Sequence, residues 1–342
     1  MQGSTTLLPQ IGSMLLAVVL GIGGMFAFFF GAEFLIRVFP ERTRTRLRPW
    51  IFVGPVLLIL LVYLVYPVIN TIYLSFLDKT SDLPASTMCI EGKPCWGIFE
   101  NYRHALTTDV MLISFRNNLL WLVVFTALTV AFGLLIAVLT DRVRYESVAK
   151  SIIFLPMAIS FVGAGVIWKF VYAFRPAGQP QIGLLNAALS LIPNFAPIGW
   201  LINKTTNNFA LITASVWIWT GFCMVILSAG LKGIPAEILE AARVDGATEW
   251  QIFWRVIIPM MSSTIAVVAT TMVINVLKVF DIVYVMTNGA FDTEVIANRM
   301  YKEMFHFRHF GRASAIAVIL LAAIIPAMIV NVRRFQAQEE MR

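Results

Sequence analysis

Pro235-Ala-Glu-Ile-Leu-Glu-Ala-Ala-Arg-Val-Asp-Gly-Ala-Thr-Glu-Trp-Gln-Ile-Phe-Trp-Arg-Val-Ile-Ile-Pro259 is the longest amphipathic, charge-bearing segment between the apolar runs of the second half of the chain. Its punctuation is that of two short helices and a tight turn. Pro235 suits a first helical position, and good helix formers follow it from Glu237 to Arg243. Gly246 stands where a helix commonly ends in a left-handed residue. Thr248 and Gln251 then have the spacing of a capping box, so a second helix can begin at once. Pro259 marks the entry into the next apolar run.

Apolar runs dominate what surrounds this segment. Hydrophobic residues make up 59% of the 342, charged residues 13%, and the mean hydropathy is +0.80. Several runs reach the length of about 20 residues that crosses a bilayer. Hydrocarbon offers the backbone no hydrogen-bond partners, so such runs are helices or strands of a closed barrel. Continuous apolarity without period-two alternation rejects the barrel. The expected fold class is therefore all-α, a polytopic helical membrane bundle. A net charge of +7 invites a nucleic-acid reading, but basic cytoplasmic loops account for it more simply.

Taken in order, the runs number about seven. The first, Ile11 to Ile36, is read as a retained helix because residues 1–10 hold no Lys or Arg, whereas a signal peptide opens on a basic region. Arg37 and Glu41-Arg-Thr-Arg-Thr-Arg-Leu-Arg48 follow, a run that places residues 37–48 in the cytoplasm and the N-terminus outside. The remaining runs are Trp50 to Phe76, Phe115 to Leu139, Ser151 to Phe174, Phe209 to Leu231, Met261 to Met286 and Arg312 to Val332. Alternation puts residues 78–112, the loop of Pro176, Pro180, Pro193 and Pro197, and the segment 285–311 outside. The segment 235–259 and the C-terminus fall inside. Residues 1–48 form an additional helix and basic loop, and 49–342 the main body.

Further residues give the organising segment a family. Glu240-Ala241-Ala242, three residues, Gly246, nine residues, then Val256-Ile257-Ile258-Pro259 resembles the EAA loop of bacterial ABC importer permeases. That pattern is Glu-Ala-Ala, three residues, Gly, nine residues, Ile, any residue, Leu-Pro; Val256 and Ile258 depart from it conservatively. Leu277-Lys-Val-Phe-Asp-Ile-Val-Tyr-Val-Met-Thr-Asn-Gly289, Thr293-Glu-Val-Ile296, Phe310-Gly-Arg-Ala-Ser-Ala-Ile-Ala317 and Phe154-Leu-Pro-Met-Ala-Ile-Ser160 resemble the sugar-importing branch. The tail from Arg334 to Arg342 is similar to that of permeases for α-glucosides and related glucosyl solutes. The likeness spans roughly residues 50–342. It implies a multi-pass subunit of the bacterial cytoplasmic (inner) membrane, moving a sugar inward by alternating access. It also implies a sister permease, an extracytoplasmic solute-binding protein and two ATPase subunits that hold ATP and Mg. Glu240, Ala241, Ala242, Asp245, Gly246 and Pro259 would dock to an ATPase.

The chain itself has no phosphate-binding loop, since Gly92-Lys93-Pro94 lacks both the glycine spacing and the hydroxyl. Lys278 and Asp281, three apart in an apolar run, mark a water-filled path or lie near the outer helix end and reach water. Trp217, Trp219, Thr220, Asn275 and Tyr284 belong to the same neighbourhood and offer the flat faces, amides and hydroxyls that suit a sugar; for any one of them taken singly, an ordinary packing or lipid-facing role is the simpler reading. Cys89 and Cys95, placed outside, either form a disulfide or remain free thiols. Cys223 is read as a small packing residue. His306 and His309 have ligand-like spacing but no evident third ligand, so no metal is expected and a solvent-facing connector is preferred.

Two other classes compete with an ATP-driven importer. An ion-coupled secondary transporter would use Lys278 and Asp281, yet no internal repeat is evident. A membrane enzyme would need acids or histidines clustered at one interface, and none appears. The orientation is testable directly. A cysteine placed within residues 41–48 is expected to be shielded from an impermeant thiol reagent in intact cells, while one at 176–180 reacts. Labelling in the reverse order overturns the topology.

Overall fold

The computed structural model describes residues 7–78, 97, 99–141 and 143–339, and every regular element among them is helical. The chain falls into two compact units, Met1–Asn70 and Thr71–Arg342. In the first unit α1 (Leu7–Ile36) turns at Arg37–Pro40 into α2 (Glu41–Ser75), which passes through a π-helical turn at Leu61–Val65 and continues into the second unit. Phe29 stacks on Phe52 at 5.5 Å, and Ile36 is buried.

The second unit continues with α3 (Glu100–Thr107), α4 (Asp109–Asp141), α5 (Glu146–Phe154), α6 (Phe161–Val171), α7 (Leu184–Leu189) and α8 (Asn207–Lys232). Then come α9 (Ala236–Val244), α10 (Glu249–Met260), α11 (Ser262–Leu277), α12 (Asp281–Met286), α13 (Ile296–Tyr301) and α14 (Phe310–Glu339). Among the described residues, five helices are long and apolar enough to cross a membrane; two more spans arise if each of two bent pairs is counted as one. The fold is the helical membrane bundle that the apolar runs require.

Two of those runs are broken where the sequence suggests continuity. The run 151–174 bends by 98° between α5, with its 3₁₀ turn Leu155–Ala158, and α6. Pro156 supplies no N–H, and Ser160 starts a new helix by accepting a hydrogen bond from the Gly163 N–H at 3.1 Å. The run leading into 261–286 bends by 70° between α10 and α11. It breaks again after Leu277, with Lys278 to Phe280 outside any helix. Lys278 and Asp281 therefore flank a break instead of sharing one helix face.

The core lies along α4 and α8. Trp121, Phe125, Thr129, Gly133, Ala137 and Thr140 form one buried stripe of α4, at helical spacing. Gly133 sets the closeness of approach: a Cβ there would stand 2.6 Å from the Cys223 Cβ and 3.0 Å from the Met224 nitrogen. Small residues at such crossings are how membrane helices gain packing contact without help from water. The hydroxyls of Thr129 and Thr140 donate to the carbonyls of Phe125 and Ile136, so neither is left unpaired in the core.

The segment 287–309 is a folded polar assembly, not a plain connector. Asn117 of α4 donates to the carbonyls of Asp292 (2.7 Å) and Glu294 (2.8 Å), and Asn118 accepts from the Ile296 N–H. Asn207 of α8 donates to the Phe291 carbonyl at 2.6 Å. The fully buried Glu303 is paired with Arg299, and its Oε2 lies 2.7 Å from His309 Nδ1. His309 is thus tied to a carboxylate, which corrects its reading as part of a solvent-facing connector. The proline-rich stretch after α6 is also ordered around one side chain. Asn186 donates to the Ile198 carbonyl and accepts from the Ile198 N–H and the Trp200 indole.

The α4–α8 contact predicts a contrast between two helical glycines. Gly133→Ala is expected to cost about 1–3 kcal/mol by overpacking, read as a lower thermal midpoint of the purified protein. Gly54→Ala, with nothing within 4 Å of the added carbon, should leave the midpoint unchanged or raise it. Equal behaviour of the two variants would show that the crossing is loosely packed.

Candidate functional site

Two of the helix breaks, before α6 and before α12, converge on one cavity of about 330 Å³. Phe161 reaches it from the start of α6 and Asn275 from the end of α11; Lys278, Phe280 and Asp281 come from the break before α12. Trp121 and Phe125 of α4 and Ser215 and Trp219 of α8 complete the wall. Backbone that leaves the helical path inside a membrane is tolerated where it lines a cavity, which is the case here.

Its chemistry is mixed in a useful way. Phe161 stacks on Trp219 at 5.9 Å, so broad aromatic faces border the space. The Trp121 side chain is buried, and its indole N–H finds no hydrogen-bond partner among the described residues. A buried donor left unpaired is costly, and a ligand oxygen would satisfy it. Asn275 donates from Nδ2 to the Thr271 carbonyl at 3.0 Å, which leaves its amide oxygen as an acceptor. Lys278 and Asp281 are exposed and no ion pair joins them. Flat faces, one orphan donor, an amide, a hydroxyl and two charges suit a small polyhydroxylated ligand better than an apolar one.

Of the seven residues expected near a solute path, the cavity brings together Trp219, Asn275, Lys278 and Asp281. The other three lie elsewhere. Trp217 packs edge-on against Trp168 at 5.8 Å. The buried Thr220 hydroxyl donates to the Val216 carbonyl at 2.6 Å. Tyr284 stacks on Phe280 at 5.1 Å and meets Tyr301 at 5.2 Å, behind the lining. The division follows helical geometry: Ser215 and Trp219, four apart, share a face, while Trp217 points about 160° away. Trp121, Phe125, Phe161 and Ser215 were missed. The signal for the first two was the α4 stripe itself, and for Phe161 it was the Ser160 cap.

The segment 235–259 is built as a braced projection. Pro235 is the residue before α9, not its first member. At the other end Gly246 has φ +80°, its N–H donates to the Arg243 carbonyl, and the Ala247 N–H donates to Ala242. These are the two bonds of a Schellman motif. The Thr248–Gln251 capping box is complete, and Arg243 Nε lies 2.9 Å from Glu249 Oε1 across the turn. That carboxylate raises the Arg243 guanidinium above its ordinary value. α10 passes through a π-helical turn at Phe253–Ile257 and ends beyond Pro259, which lies inside it.

No residue of α9 is buried, and Glu240, Ala241, Asp245 and Gly246 are exposed, with Ala242 half-buried. Val244 is 87% exposed and Trp250 69%, whereas Ile252 and Ile257 sit in the core. One side is anchored and the other presents apolar surface. Cys89 and Cys95 lie outside the described residues.

Residues 129–334 match the family described as binding-protein-dependent transport system inner membrane component. The chain is 61% identical over 291 residues to the osmoprotective compounds uptake permease protein GgtC of Synechocystis sp., covering 85% of this chain and all of that relative. It is 43% identical over 340 residues to the alpha-glucoside transport system permease protein AglF of Rhizobium meliloti, covering 95% and 97%. The crystal structure of a bacterial ABC transporter involved in the import of alginate aligns with a TM-score of 0.69 at 21% identity, over 86% of this chain and 99% of that one. The last likeness shows the fold; the first three show that the chain belongs to the binding-protein-dependent inner-membrane permeases, the membrane-spanning components of ABC transporters.

Proposed function

We propose that this permease subunit imports a neutral, polyhydroxylated solute, an α-glucoside or glucosyl compound, through the cavity at the α11–α12 break. The observation that carries the reading is the likeness to GgtC along that protein's whole length. Its name speaks of osmoprotective compounds, and that of AglF of alpha-glucosides. A glucosylated osmolyte satisfies both names, and the aromatic and hydrogen-bonding lining of the cavity suits it. The ion-coupled alternative built on Lys278 and Asp281 is not favoured, because the family is that of binding-protein-dependent importers.

The proposed assembly pairs the chain with a sister permease, two ATPase subunits that bind ATP and Mg, and an external binding protein. A structure of the related alginate importer holds its sugar-loaded periplasmic protein, which supports the last partner. Residues 1–48 add a helix ahead of the permease body, with the N-terminus outside and the C-terminus inside. Import proceeds by alternating access. The braced loop, with Glu240, Ala241, Ala242, Asp245, Gly246 and Pro259, transmits ATPase closure to the membrane helices as a rigid lever. Its exposed Val244 and Trp250 are the kind of surface a protein partner covers.

Two outcomes test the two halves of this reading. Asn275→Leu and Trp219→Ala should each reduce uptake of a glucosylated solute at least tenfold in proteoliposomes holding the whole complex, with basal ATP hydrolysis retained. Unchanged uptake over a range of solute concentrations would move the path elsewhere. Gly246→Val has open space but the wrong backbone: a β-branched residue at φ +80° costs about 1–2 kcal/mol locally. The variant should reach the membrane and pair with its sister, yet lose solute-stimulated ATP hydrolysis. Normal stimulation with full recovery of all subunits would show that this loop is not the coupling element.

A further inference from the structure

The arginines at the start of α2 are not equivalent. Arg42, Arg44, Arg46 and Arg48 alternate along a helix, so they divide between two faces about 160° apart, Arg44 with Arg48 and Arg42 with Arg46. The first face is neutralised. Arg48 donates to both oxygens of Glu33 on α1, at 2.6 and 3.3 Å, and Arg44 Nη2 lies 3.6 Å from the same carboxylate. The second face is not. Arg42 and Arg46 are exposed and make no ion pair with any described residue, and neither does the adjacent Glu41.

The same face continues in a definite order. Trp50 follows Arg46 by four residues, is 64% exposed, and is succeeded by exposed Val53 and Leu57. From Arg42 to Trp50 is about 12 Å along the axis. Tryptophan settles where headgroups meet acyl chains, and that anchor puts the two guanidinium groups one and two turns farther out, at the depth of the phosphates. Guanidinium matches phosphate oxygens in bidentate fashion and is only weakly hydrated.

We propose that Arg42 and Arg46 bind the phosphate of an anionic phospholipid, with Trp50 against its glycerol and upper acyl region. Charge complementarity selects this occupant. The face is cationic, unneutralised from within the unit, and joined without a gap to an exposed apolar helix surface that suits lipid. Basic groups beside the bilayer each favour an anionic lipid by about fivefold. The proposal is independent of the transported solute and asks only that the stripe stand at the membrane boundary.

The test uses the full chain in mixed micelles of phosphatidylglycerol and phosphatidylcholine, with retained lipid counted by native mass spectrometry. Arg42→Gln with Arg46→Gln should lower the preference for phosphatidylglycerol at least tenfold. Arg44→Gln with Arg48→Gln removes the same charge and should lower it by less than threefold. If the first pair reduces helicity, Arg42→Lys with Arg46→Lys keeps the charge and should still lose a large part of the preference through the lost bidentate contact. Inorganic phosphate should displace no more lipid than chloride at equal ionic strength. Equal losses from both glutamine pairs, full retention by the lysine pair, absence of preference in the parent, or displacement by free phosphate would each overturn the assignment.

Discussion

In hydrocarbon a backbone must satisfy its own hydrogen bonds, here by staying helical, and the rest of this structure depends on where that rule is suspended. α4 and α8 obey it without interruption and pack through Gly133 against Cys223 and Met224. The chain between α5 and α6, and again between α11 and α12, leaves the helical path. Both departures border the same cavity, where Phe161 and Asp281 open new helices. The continuous pair supplies rigidity, and the interrupted elements bring Asn275, Lys278 and Asp281 to the cavity wall.

The same division explains the asparagines. Asn117, Asn118 and Asn207 stand at the beginnings of the two continuous helices and hold the backbone of 291–296 by its carbonyls and one N–H. Each replaces a water that a buried loop could not keep. The segment carries four residues at positive φ between Asn288 and Asp292, a path that no helix or strand would stabilise. Its support is therefore side-chain to backbone bonding, with the Glu303–Arg299–His309 group as a second clasp.

What was legible in the sequence is what is local. The turn at Gly246 and the capping box at Thr248 each require only five or so neighbouring residues, and both stand in the structure as spacing implied. The seven apolar runs were legible because lipid asks only for length and apolarity. The breaks were not, because an apolar run reads the same whether or not Pro156 and Ser160 divide it. Trp217 was grouped with Trp219 by proximity in sequence, although the helix turns them to opposite sides. The Asn117 bonds join positions 175 and 177 residues apart, and nothing local announces them. Trp121 shows its importance only once α4 and α8 are seen to enclose the cavity.

Under the proposed function, position in the chain would give the projecting loop its mechanical leverage. It is spliced between α8 and α11, and those two helices carry Ser215, Trp219 and Asn275 on the cavity wall. The Schellman bonds, the capping box and the Arg243–Glu249 contact leave the turn few ways to yield. Ile252 and Ile257 continue that stiffness into the core. A force applied at Val244 or Trp250 would then reach both walls with little loss in bending. A flexible connector of equal length would absorb it, since packed elements switch between discrete arrangements and do not deform continuously. Under the proposed function, a loop with no buried residue in its first helix and a turn held by the Schellman bonds, the capping box and the Arg243–Glu249 contact is what coupling at a distance requires.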